Sequence, residues 1–241
     1  MDRERTIAVQ LPRVLLALAV VATLSGCPQR VRPPPPAPPV TPTEAAIPAD
    51  ARRFDIVPGE SVVHILVYRA GTLAKAGHNH VVTSRDLEGV VYLTSQLERS
   101  QFRIVLPVAT FVVDDAEARR EAGPDFAADV PPTAREGTRR NMLSPALLAG
   151  DDFPEITLAS SRIEPAPGGA LATVEVRVRD RTSTLSIPIR YEQKADELLA
   201  DGEVTVRQTD LGLTPFSALL GALQVQDEIR LRFRILARAR G

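Results

Sequence analysis

One cysteine, no tryptophan and few other aromatics set the first limits on this chain. With Cys27 alone, no internal disulfide can form, so the folded part must be held together by burial of apolar surface. With aromatics at 4% of residues, there is little material for the stacking platforms that bind sugars or single-stranded nucleic acid. An excess of one charge is lacking too. The 29 Lys and Arg against 30 Asp and Glu leave a formal net charge of −1, which removes the electrostatic case for nucleic acid or for an anionic membrane surface. Ser144 and Ser217 have no Gly-x-Ser-x-Gly setting, and no glycine-rich phosphate loop is present. Asp114 and Asp115 are adjacent, so on a strand their side chains would point apart, and they read as a solvated loop rather than an acid and base pair. No catalytic residue is assigned, and no enzyme activity is expected.

What is present begins at the N-terminus. Arg3, Arg5 and Arg13 precede an apolar run over 14–22, followed by Leu24-Ser25-Gly26-Cys27. That order of charge, apolar run and small residues is the pattern of an export signal. The run is shorter than the roughly 20 residues a spanning helix requires. The Leu-Ser-Gly-Cys string resembles a bacterial lipobox, which makes residues 1–26 a lipoprotein signal peptide and Cys27 the lipidated first residue of the exported protein. Residues 27–51 are rich in proline and read as a tether of extended polyproline II, roughly 60 Å long over 20 residues. The expected location is the cell envelope, lipid-anchored, facing the periplasm if the host has two membranes.

Residues 52–241 form the remaining domain, large enough for one substantial core. The dominant period there is two. Ile229, Leu231, Phe233 and Ile235 alternate with Arg230, Arg232 and Arg234, which predicts a strand with one face inside and one in water. Similar runs lie at 61–68, 89–93, 102–108, 156–160, 171–179, 184–191 and 202–207, separated by turn signals such as Pro58-Gly59 and Asp201-Gly202. Short helices are expected at 117–121, at 139–148 and at 215–223. Eight strands with one polar face fit a sandwich or a barrel; the arginine-studded faces are too polar to meet a second sheet, so an eight-stranded antiparallel barrel is expected.

The most conspicuous polar segment is Gly77-His78-Asn79-His80. Two imidazoles on one face of a strand could begin a metal site, but zinc needs further ligands and His64 is the only other histidine. Rim residues that position a ligand are the expectation, with no metal; a metal-dependent enzyme built on His78 and His80 is the weaker alternative.

Five segments in order carry a resemblance: Gly77-His78-Asn79-His80-Val81, Arg139-Arg140-Asn141-Met142-Leu143, Phe153-Pro154-Glu155-Ile156-Thr157-Leu158, Gln208-Thr209-Asp210-Leu211-Gly212-Leu213-Thr214-Pro215 and Val225-Gln226-Asp227-Glu228-Ile229. From about Phe54 to Ala239 the chain resembles the YceI-like polyisoprenoid-binding family, in particular members with a Gly-His-Asn-His segment. Many members carry a His-Gly pair where this chain has Asp180-Arg181. The resemblance implies an all-β, extended, lipocalin-like barrel with short helical insertions that holds a long apolar chain, such as an isoprenoid quinone or polyprenyl lipid. It places His78, Asn79, His80 and Arg140 at a polar rim, and Met142, Leu143, Phe216, Leu219, Leu220, Leu231 and Phe233 as apolar mouth or lining. Its partners would be an apolar lipid and, through the anchor, a membrane. A tethered barrel serving as an interaction module without lipid is the main rival, and no oligomeric state is implied.

Overall fold

Breaks within strands shape the first half of the domain. The computed structural model describes residues 47–240; the expected signal peptide, Cys27 and all of the tether before residue 47 lie outside them. β1 (Arg52–Ile56) and β2 (Val62–Ala70) run in one direction with Pro58-Gly59 between them, and both pair with the same edge of the last strand. Gly59 takes φ +79°, which a glycine adopts without strain. Ser61 is fully buried, and its hydroxyl patches the ladder at the break by accepting from the Leu236 amide at 3.0 Å. β3 (His80–Ser84) and β4 (Glu88–Leu93) repeat the arrangement, as do β5 (Gln101–Pro107) and β6 (Val112–Val113).

Helix α1 (Ala116–Ala122) follows, then α2 (Pro132–Leu143). The second half consists of longer strands: β7 (Glu155–Ala166), β8 (Gly169–Val178), β9 (Arg181–Lys194), β10 (Glu197–Arg207) and β12 (Leu223–Ala239), with the two-residue β11 (Ser217–Ala218) pairing β12 off the main path. The order β1-β4-β5-β7-β8-β9-β10-β12, with β12 pairing back to β1, closes an eight-stranded antiparallel barrel. β2, β3 and β6 extend it along the first part of β12.

Register fixes which residues face inward. On β12, Ile229, Leu231 and Phe233 stand opposite Val67, Ile65 and Val63 on one side, and opposite Val206, Val204 and Gly202 on the other. The alternation read from the sequence is therefore realised: Arg230 and Arg232 face outward and both reach Glu203, at 3.4 and 2.6 Å. The interior core takes in Phe54, Ile56, Ile163, Val174 and Ile235. A second, smaller cluster lies on the outer face of β2 and β3, where α1 and the turn at Pro124–Phe126 cover Leu66 and Val81 with Ala118 and Phe126.

Three local expectations are corrected. The second helix occupies Pro132–Leu143 rather than 139–148, because Pro132 sits at a helix start, where its missing N–H is no loss. Residues 215–223 form β11 and a 3-10 turn, Leu219–Gly221, instead of a helix. The Asp114–Asp115 pair is no solvated loop. Asp114 is fully buried, and Asp115 caps α1 by accepting from the amides of Glu117 and Ala118.

Candidate functional site

His80 opens β3 opposite Val67, so its ring is on the inward face, whereas His78 precedes the strand in the loop. The two rings are 6.2 Å apart. His64, on the outward face of β2, bonds Thr83 Oγ1 through Nδ1 at 3.0 Å, and its Nε2 stands 3.3 Å from Glu121. The three histidines therefore do not converge on one point. Burial lowers the His64 pKa, with Arg85 and Arg232 adding to the effect and Glu121 opposing it.

The side chain that organises the Gly-His-Asn-His segment was not a candidate from sequence. Asp114 leaves β6 with φ +56°, a conformation that aspartate tolerates better than most residues, and reaches back beneath β3. Its Oδ2 is 2.6 Å from His80 Nδ1, and its Oδ1 accepts from the Val81 amide at 3.0 Å and from Arg119 at 2.5 Å. Burial would raise the Asp114 pKa. The bonds from His80, Val81 and Arg119 outweigh it and hold the carboxyl below its ordinary range. An ionised carboxylate only accepts, so Nδ1–H of His80 is the donor, which leaves Nε2 facing Thr138 Oγ1 of α2 at 3.4 Å.

Arg119 extends the network. It is itself buried and donates to the carbonyls of Asn79, at 2.8 Å, and Ala128, at 2.7 Å. Asn79 accepts from the Arg69 amide at 3.0 Å and donates to the Asp125 carbonyl at 2.9 Å, so its side chain ties its own loop to the end of β2 and to the Pro124–Phe126 turn. Arg140 is exposed on α2. Its neighbour Arg139 donates to the Ala109 carbonyl at 2.6 Å and pins the helix across the barrel end.

The apolar candidates divide. Met142 is buried in the core, Leu143 packs on it, and Leu231 and Phe233 face the interior. Phe216, Leu219 and Leu220 do not line it. Phe216, just before β11, is 37% exposed, and Leu219 and Leu220, on the 3-10 turn before β12, are 67% and 109% exposed and both adopt positive φ. The turn projects because Gly71 lets the two loops meet closely: a Cβ there would lie 2.4 Å from the Ala222 carbonyl oxygen.

A family model described as the YceI-like domain matches residues 54–237. The chain belongs to the YceI-like family. Among solved structures, BcnA of Burkholderia cenocepacia superposes with a TM-score of 0.56 at 14% identity, covering 76% of this chain and 99% of that one. A polyisoprenoid binding domain from Saccharophagus degradans, implicated in plant cell wall breakdown, gives 0.48 at 8% identity over 78% and 98% of the two chains. The YceI protein of Campylobacter jejuni gives 0.49 at 9% identity over 66% and 85%. Comparison with curated proteins gives no match.

The interior of this YceI-like barrel is uneven. Phe54, Ile56, Ile235 and Ala237 are fully enclosed where β1 meets β12. Along the middle, Val63, Ile65, Val91, Phe102, Ile104, Leu158, Leu185, Val204, Leu231 and Phe233 face inward yet stay partly exposed. The aliphatic face of the barrel is thus accessible along its middle and sealed where β1 meets β12. Nothing in the alternation distinguishes a filled barrel from a lined one, since both place the same residues inside.

Proposed function

We propose that the barrel binds the hydrocarbon chain of an isoprenoid-type or other long-chain lipid, and that it does so as a lipoprotein of the cell envelope. The observation that carries this reading is the inward aliphatic band, Val63, Ile65, Val204, Leu231 and Phe233 among its members, that stays accessible although it faces the barrel axis. Each CH₂ transferred from water to such a surface contributes about 0.8 kcal/mol, so a few isoprene units outweigh the cost of association. The YceI-like family membership and the polyisoprenoid binding of one structural relative agree with a lipid ligand.

This attraction has no direction, so selectivity for the chain is loose and any preference for a head group falls to polar residues. His78, His80 and Arg140 are the residues proposed to meet it. Asn79 acts by holding the loop. The reading asks no bond-making step of His80 or Asp114. The Leu-Ser-Gly-Cys string and the proline-rich segment after it support export, lipidation at Cys27 and a tethered barrel.

Mass spectrometry of an organic extract of purified protein tests the reading, followed by fluorescence titration with all-trans-retinol as an isoprenoid probe. A co-purifying isoprenoid or other long-chain lipid and saturable retinol uptake are expected. A lipid-free extract from folded protein that also takes up no retinol refutes it.

A further inference from the structure

The wall of the barrel is not continuous. β9 and β10 pair only from Lys194 with Glu197 to Arg190 with Asp201, yet both strands run on beyond that rung. Over the same residues β9 stays paired with β8, and β10 with β12. Neither strand has frayed; they have parted from each other.

The cause is legible at Pro188. A Cβ on Gly202 would lie 2.4 Å from the Pro188 carbonyl oxygen, so that carbonyl points at β10. In an extended strand the N and C=O of one residue face the same edge, and the proline nitrogen has no proton to give. The next rung lacks its donor. Past it, Ser186 and Thr184 of β9 face Thr205 and Arg207 of β10 without a ladder between them.

The separation is bounded at both ends. Arg190 Nε donates to Asp201 at 2.9 Å on one side, and Ser183 Oγ donates to the Asp210 carbonyl at 2.7 Å on the other. Between these fastenings lies a slot about five residues long, roughly 15 Å at the rise of a strand. It holds a cavity of about 340 Å³ with Thr184, Ser186 and Thr205 at its outer lip and Leu185, Val204 and Val206 behind them.

From this we infer that the slot between β9 and β10 is the passage by which the hydrocarbon chain enters and leaves the barrel, an inference that rests on the interior being a lipid site. Leu185 and Val204 line the slot and also belong to the inward-facing aliphatic band, so the slot opens onto that band. The ends are less open: Phe54, Ile56 and Ile235 fill one, and α2 packs against β6 at the other. Entry between any two paired strands would break hydrogen-bonded rungs, whereas here there are none to break, and the hydroxyls with the unpaired backbone groups are hydrated while the slot is empty.

The test is a reversible cross-link in the Cys27→Ser chain. Ser186→Cys with Thr205→Cys, joined by a short cleavable bis-maleimide, bars the slot; Glu192→Cys with Leu199→Cys, joined likewise where the strands are already paired, is the control. Retinol association and dissociation are followed by stopped-flow fluorescence. A passage changes both rates and leaves their ratio alone. Barring the slot should therefore slow both by on the order of tenfold, with affinity unchanged, while cleavage of the linker restores them and the control pair has no effect. Unchanged rates with the slot barred would overturn the passage and leave the interior site standing. Absence of retinol binding in every variant and in the parent would overturn both.

Discussion

His80 and Asp114 lie 34 residues apart in the chain and share a hydrogen bond of 2.6 Å, the carboxylate also carrying Arg119 at 2.5 Å. Replacing Asp114 by Asn would keep the shape and remove the charge, leaving the Arg119 guanidinium buried without a counter-ion. Removing one partner of a buried pair costs about 3–5 kcal/mol. Asp114→Asn is expected to lower the urea midpoint accordingly and to disorder the loop holding His78. A loss within about 0.5 kcal/mol, the usual size for an exposed position, would show that the network is dispensable.

Stability should fall on acidification in two separate windows. His64 has its folded pKa lowered chiefly by burial, so the folded state prefers the neutral ring; this contribution is present above the unfolded value of about 6.5 and declines as pH falls through the folded pKa. Asp114 is likewise lowered, and its contribution is present above about 3.9 and declines at more acid pH. Thermal unfolding against pH should show the first decline in the parent and lose it in His64→Gln, while Asp114→Asn removes only the second. A decline near neutrality that persists in His64→Gln would assign it to another group.

Phe233 packs its ring over Gly202, its cross-strand partner, where an added Cβ would come within 2.5 Å of the ring. Gly202→Ala is expected to destabilise by about 1–3 kcal/mol, through overpacking against the ring and the Pro188 carbonyl. Phe233→Ala would cost about 3–5 kcal/mol in a filled core. In a lined interior the new space joins space already there, so the loss should fall below that range, with a change in the amount or chain length of extracted lipid. Arg232→Ala, outside the barrel and paired with Glu203, should change stability by no more than about 1 kcal/mol and leave lipid content alone.

Backbone protection offers a test of the slot without mutation. The amides of Ser186, Thr184, Thr205 and Arg207 face the gap and should exchange with solvent deuterium far faster than those of Thr173, Val174 and Val176 on β8, which lie within continuous ladders. Equal protection on both sides of β9 would mean that the strands close in solution.

The sequence by itself determined the strands and which of their faces turns inward. Period-two alternation is a local property, since successive side chains on a strand must point to opposite faces, and the run from Ile229 to Ile235 could satisfy it in only one way. The wall defect was legible in part, for Pro188 stands within an alternating run, where a missing donor must weaken one edge. Which edge failed was not legible, because that depends on the direction of its carbonyl relative to β10. The three broken strands, the exposed Leu219 and Leu220, and the Asp114 network were decided only by the tertiary structure. Asp114 looks like any loop aspartate until the fold sets it against His80 and Arg119, and the exposure of a leucine depends on what the rest of the chain places over it. Whether the aliphatic faces meet or stand apart is also a matter of barrel closure, set by strand number and stagger, which no local pattern encodes.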